Sequence, residues 1–139
     1  EIVYAVLPLV TVFFVQPRFE LDFFWWKIAG AAAIVLGGAI LSWSLISFGK
    51  KGLILTVHQQ KILKTGPYLF VRHPQYLGLI FIWAGWWWVW SAVYSFYFGM
   101  FIVALTWLEA YLEEKLILEK QHQAQYHKYK TEAGMFWIK

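Results

Sequence analysis

The chain has no cysteine among its 139 residues, which excludes disulfides, zinc–thiolate sites and a cysteine nucleophile. Charge is scarce too. Asp, Glu, Lys and Arg make up 14% of the residues, against roughly 25% in an ordinary soluble domain. The formal net charge is only +4, which suits an anionic membrane face rather than nucleic acid. No internal repeat, linker or low-complexity segment interrupts the chain, so residues 1–139 are read as one domain.

What is present is apolar. Hydrophobic residues make up 60% of the chain and there are ten tryptophans, as expected of a bilayer protein with interfacial aromatics. Four apolar stretches stand out. Ile2 to Pro17 is short and contains Pro8. The chain begins at Glu1, so this stretch is either a complete tilted span or the end of a longer one. Ile28 to Gly49 carries no charge over 22 residues, enough to cross a hydrocarbon core about 30 Å thick. Pro74 to Leu108 carries none over 35 residues, which suits two short spans with a break near Ser91 to Ser95. After Leu108 the chain turns charged, lacks Gly and Pro until Gly134, and spaces its apolar residues helically. The fold expected is an all-α membrane protein: about four transmembrane helices, the last two a tight hairpin, then a C-terminal cytoplasmic amphipathic helix along the membrane surface.

Charge placement orients this arrangement. Ten of the twelve basic residues fall between the second and third spans or in the tail. An even number of spans puts both segments on one side, cytoplasmic by the positive-inside rule. Residues 50–66 then form a cytoplasmic connection with room for a short strand or helix.

Between that connection and the longest charge-free run stands GPYLFVRHPQYLG, residues 66–78. Gly66-Pro67-Tyr68 is turn chemistry. Pro74 is suited to a helix start. The amides of that start carry partial positive charge and favour an anion. Arg72 adds a planar donor fork and Tyr76 a hydroxyl. Gly78 permits close approach of a ligand or a neighbouring helix. Read alone, Arg72 and His73 either anchor the helix at the headgroups or grip a ligand.

This stretch resembles the signature of the isoprenylcysteine carboxyl methyltransferase and phospholipid methyltransferase superfamily: Gly-Pro-Tyr, a spacer, then Arg-His-Pro-x-Tyr-x-Gly. Gly66, Pro67, Tyr68, Arg72, His73, Pro74, Tyr76 and Gly78 all match. GGAILSWSLISFGK upstream resembles the family's second membrane helix, and Glu113-Glu114 followed by Tyr126 and Tyr129 resembles its tail. The likeness covers roughly residues 30–139. In the tail, Gln121-His122-Gln123 replaces a Phe-Gly, the spacing from Glu114 to Tyr126 is about one residue long, and GMFWIK replaces a proline-containing end.

The resemblance implies an integral membrane methyltransferase using S-adenosylmethionine, with a cytoplasmic cofactor part at about residues 50–139 closed by the tail. It implies cofactor contacts from Tyr68, Arg72, His73, Pro74, Tyr76, Gly78, Glu113 and Glu114. Arg72, Glu113 and Glu114 are the catalytic candidates, and the acceptor is a lipid or lipidated molecule entering from the bilayer. A carboxylate acceptor, as in the isoprenylcysteine enzymes, is the leading expectation. It is already anionic, and Arg72 would orient it. A phospholipid amine is the alternative; it must lose a proton, to Glu113, Glu114 or neutral His73. Sterol reductases share a related Arg-His-Pro-Asn-Tyr motif, but Gln75 replaces the asparagine here and Leu79 offers no acid. A scaffold that keeps the fold without the cofactor is the non-enzyme alternative.

The remaining features rank lower. Glu109 and Glu113 stand four apart and share a helix face, so they want a positive partner, for which Arg72 is a candidate. His122 and His127 are five apart, which spoils the spacing of a helical metal pair, and no metal site is expected. Trp83, Trp86, Trp87, Trp88 and Trp90 surround a helix, and most are expected to face lipid. Gly30, Ala31, Ala32, Ala33, Gly37 and Gly38 suit close helix packing in a membrane.

Overall fold

The computed structural model describes residues 2–20, 24–52, 64–118, 120 and 123–138. Among these the chain is mostly helical, with two isolated β-bridges and no strand. The helices are α1 (Ile2–Val10), α2 (Trp25–Gly52), α3 (Pro74–Trp90), α4 (Val93–Glu113) and α5 (Gln123–Glu132). A π-helical turn, Glu114–Leu118, continues α4, and single 3₁₀ turns lie at Thr11–Phe13 and Gly66–Leu69. Most of the 50–66 connection and His122 lie outside the described residues.

Among the described residues two helices are long and apolar enough to cross a membrane: Trp25–Ser47 and Val93–Leu116, with mean hydropathies of 1.9 and 1.4. Their apolar windows are only 17% and 28% buried. A core helix of a soluble protein would hide such residues. Here Val35, Leu36, Phe101 and Trp107 are exposed, as befits side chains that meet lipid. The break expected near Ser91 is present. α3 stops at Trp90 and α4 begins at Val93, with Ser91 at a φ of 50° between them.

By internal contacts the chain forms two compact units, residues 1–39 with 78–106, and residues 40–77 with 107–139. The first unit is organised by tryptophan. Trp83 and Trp87 stand four apart on α3 and are buried with Val12, Ala92 and Ile102. Their burial corrects the expectation of a lipid-facing tryptophan run, since only Trp88 and Trp90 of the five are well exposed. The reason is hydrogen bonding. The last carbonyls of a helix lack intrahelical partners, and an unsatisfied one in lipid costs several kcal/mol, roughly. Trp87 Nε1 donates to the Pro8 carbonyl at 3.2 Å and Trp86 Nε1 to the Leu9 carbonyl at 3.0 Å, so the indoles cap the end of α1.

The segment after α1 fastens the hairpin tip in the same way. Arg18 Nη1 donates to the Trp90 carbonyl at 2.6 Å, capping α3. Gln16 accepts from the Ser95 amide at 2.9 Å, capping the start of α4. A groove of about 180 Å³ beside the tip is lined by Thr11, Phe14, Val15, Gln16, Tyr94, Ser95 and Phe98. None of these is a motif residue, and we assign the groove no chemistry.

α2 and α3 meet backbone to backbone at two glycine pairs. A Cβ on Gly85 would lie 2.5 Å from the Gly30 carbonyl oxygen, and one on Gly37 would lie 2.6 Å from that of Gly78. The close approach lets the bare Gly37 backbone pack on the Gly78 carbonyl. Nothing lies within 4 Å of a Cβ on Gly38, so that glycine is not part of the contact. Gly85→Ala is expected to cost about 1–3 kcal/mol by overpacking. Gly38→Ala should instead stabilise by up to about 1 kcal/mol through helix propensity. Unfolding free energies of the two variants in detergent test the contrast.

Candidate functional site

The second unit brings the motif and the tail together. Gly66 opens the motif at a φ of 59°, in the left-handed region. A side chain there would be strained and would also strike Ser47 Oγ. Pro67 follows, buried, and starts the 3₁₀ turn. The chain then runs through Val71, Arg72 and His73 to Pro74, the first residue of α3.

The C-terminal end lies alongside this segment. Val71 and Gly134 form a parallel β-bridge. The Arg72 amide donates to the Gly134 carbonyl at 2.8 Å, and the His73 amide to that of Met135 at 3.2 Å. The Tyr129 hydroxyl donates to the Tyr68 carbonyl. Lys64 and Glu132 pair at 2.6 Å; the contact is exposed and contributes little to stability. α4 loosens at Glu114 into the π turn, and α5 turns its buried stripe, Tyr126 and Tyr129, toward Ala133. Lys128 and Thr131, on its other side, are exposed.

At the centre is Glu114, only 4% exposed. Its Oε1 accepts from His73 Nε2 at 3.1 Å and lies 3.0 Å from Arg72 Nε, although Arg72 Nε does not reach hydrogen-bond geometry. Its Oε2 is 3.7 Å from Lys130 Nζ. A lone buried carboxylate would be costly, and three basic side chains around it offset that cost. Sequence spacing suggested Arg72 as the partner of Glu109 and Glu113. The structure gives Arg72 to Glu114 and leaves Glu109 exposed.

Glu113 behaves differently. Its side chain is 30% exposed, and Oε2 lies 4.0 Å from His73 Nδ1. The Tyr76 hydroxyl points to the same oxygen at 3.5 Å. The Tyr76 and His73 rings stack at 5.6 Å, and Phe136 tilts against the imidazole at 6.0 Å. Successive carboxylates on an α-helix diverge. Here the change of pitch at Glu114 brings Glu113 and Glu114 to opposite nitrogens of one imidazole, and π-helical turns are frequent at functional sites.

Of the residues proposed from sequence, Arg72, His73, Tyr76, Glu113 and Glu114 form this one cluster. Tyr68 is joined to it through Tyr129. Pro74 serves as the helix start, and Gly78 serves the α2–α3 contact. Lys130, Gly134, Met135 and Phe136 were given no role, and Tyr126 only a place in the resemblance of the tail. The signal available for Tyr126 was its spacing from Tyr129, which places both on one face of a helix. The pairing of residues 134–135 with 71–73 joins segments distant in sequence and leaves no local trace.

Comparison with known families gives a match to the family model described as phospholipid methyltransferase, over residues 25–125. The chain belongs to that family. Comparison with curated proteins and with solved structures gave no match. Family membership and the two lipid-exposed apolar helices make the protein a membrane methyltransferase in kind. The matched region contains the whole motif, both glutamates and the π turn.

The donor set of this phospholipid methyltransferase family member fits S-adenosylmethionine. Glu113 offers a partly exposed carboxylate for a positive sulfur, and Tyr76 and His73 offer stacked rings.

Burial pushes the Tyr68 hydroxyl up to about 12 and raises Tyr126 and Tyr129 as well. The nearby Glu114 charge adds to the effect at Tyr126. A raised folded-state pKa stabilises the fold below the unfolded value, about 10 for tyrosine. That stability is lost as pH rises through the folded value. In a spectrophotometric alkaline titration, three of the eight tyrosines are therefore expected to ionise late and together, as the tail undocks. Tyr129→Phe, which removes the bond to the Tyr68 carbonyl, should move that step to lower pH.

Proposed function

We propose that this protein transfers a methyl group from S-adenosylmethionine to the amine headgroup of a membrane lipid. The observation that carries the choice of acceptor is the pairing of Arg72 with Glu114. An isoprenylcysteine-type carboxylate would need a cation to orient it, and Arg72, the residue expected to do so, is neutralised by Glu114. The partly exposed charge beside it is Glu113, a carboxylate, which suits an ammonium that must lose a proton before it can act as a nucleophile.

Bound S-adenosylmethionine supplies a methyl group on a positively charged sulfur. Glu113, the partly exposed carboxylate, would hold that sulfur and the incoming amine by charge. It attracts both positive charges and takes the proton of the ammonium. Tyr76 holds the carboxylate in place. The protein's remaining task is to bring the two reactants within about 3–3.5 Å and in line. The charge pattern supports a four-span arrangement with this site on the cytoplasmic side, reached by lipid from the bilayer. A closed tail, bonded to residues 71–73, supports exclusion of water from the transfer.

The test compares two cofactor forms by calorimetry in detergent. S-adenosylmethionine carries the sulfonium charge and S-adenosylhomocysteine does not. Glu113→Gln is expected to weaken the first about 10-fold more than the second, a difference of about 1.4 kcal/mol. In parallel, dispersed phosphatidylethanolamine should be methylated and a prenylcysteine carboxylate should not. Binding of neither cofactor form, or methylation of the carboxylate alone, would refute the proposal.

A further inference from the structure

The segment that closes over the motif carries an apolar surface of its own. Gly134 and Met135 are buried where they pair with residues 71–73, and Phe136 tilts onto the His73 ring. Trp137 and Ile138 turn outward and are 64% and 73% exposed. The motif does the same on its side of the pairing. Val71 is buried, whereas Leu69 and Phe70 just before it are 54% and 48% exposed.

The two exposed pairs flank one backbone pairing. Val71 is bridged to Gly134. Trp137 folds back on Gly134, where an added Cβ would strike the Trp137 carbonyl oxygen and lie 3.1 Å from its ring Cδ1. Single exposed apolar residues are ordinary on any surface, but a patch of large ones marks a partner. We infer that Leu69, Phe70, Trp137 and Ile138 form a membrane foot. They enter the boundary between headgroups and acyl chains, and the bilayer thereby holds the tail on the motif.

Position, continuity and composition commit this surface to lipid. Phe70 stands four residues before Pro74, where α3 and the charge-free run begin, so the patch lies where the chain enters its apolar region. The same unit exposes Leu45 and Ile46 of α2 and Leu108 and Leu112 of α4, inside the two segments able to cross a membrane. Tryptophan favours the membrane–water boundary, and Lys139, next in sequence, suits the headgroup level. α5 buries Tyr126 and Tyr129 and exposes Gln125, His127, Lys128 and Thr131, so the apolar contact of the tail falls to the residues after it. Lys64 lies over the Tyr129 ring and is already matched by Glu132. The attraction is therefore apolar in the main and needs no anionic lipid.

This surface is independent of the acceptor, carboxylate or amine. Its consequence reaches the site all the same. The Arg72 and His73 amides donate to the Gly134 and Met135 carbonyls, so whatever secures residues 134–138 also secures the backbone of the motif. The lack of cysteine makes the test direct. Ile138→Cys and, as a control on the exposed side of α5, Thr131→Cys each carry a nitroxide label in bilayer discs of phosphatidylcholine alone. The label at 138 should be relaxed several-fold more by oxygen, which concentrates among acyl chains, than by a water-soluble nickel chelate. The label at 131 should show the reverse, and neither result should change at high salt. In the same discs, Phe70→Ser combined with Ile138→Ser should speed amide hydrogen exchange at Arg72 and His73 several-fold.

A label at 138 relaxed chiefly by the nickel chelate would overturn the inference. So would dipolar coupling between labels at 138 on different molecules, which would make a second copy of the chain the occupant. Lipid contact at 138 with unchanged exchange at Arg72 and His73 would support the foot and overturn its hold on the tail.

Discussion

A buried carboxylate holds the second unit together. Glu114 has left water, and that is tolerable only because Arg72, His73 and Lys130 surround it. These partners come from two parts of the chain, the motif before α3 and α5, and meet a glutamate in the turn after α4. Removing a partner from such a cluster leaves an uncompensated buried charge. The docking of the tail beside residues 71–73 is therefore bound up with the geometry of the chemical groups. What orders His73 also keeps Arg72 from acting as an open anion site.

The two units solve the same problem by different means. Each must satisfy polar backbone groups where water is scarce. The first uses tryptophan N–H donors on the carbonyls ending α1, with Arg18 and Gln16 capping the hairpin tip. The second uses a backbone pairing between the tail and the motif, reinforced by tyrosine. Aromatic residues thus carry structural hydrogen bonds as well as apolar surface. The abundance of tryptophan and tyrosine in this chain follows from both needs.

Division of labour between the glutamates follows from a change in helix pitch. In a regular helix adjacent side chains point about 100° apart, and Glu113 and Glu114 would not meet one ring. The π turn relaxes that divergence. One glutamate is thereby committed to the interior, and the other keeps access to a ligand.

Much was legible from sequence because it depends on local or compositional physics. Charge-free length and apolar content marked α2 and the α3–α4 hairpin, since a lipid core tolerates little else. Gly66-Pro67 marked a turn and Pro74 a helix start, because those residues restrict their own backbone. The motif and glutamate pair pointed to the family. Tertiary structure decided what these elements do to one another. Helix period alone paired Glu113 with Glu109 and offered both to Arg72, whereas packing gave Arg72 to Glu114. Hydropathy alone sent the tryptophans to lipid, whereas Trp86 and Trp87 found carbonyls inside. Charge and apolar spacing marked a helix in the tail, whereas the pairing of residues 134–135 with 71–73 left no local mark. In each case the deciding partner lies far along the chain, and the energy of meeting it does not exist until the chain has folded.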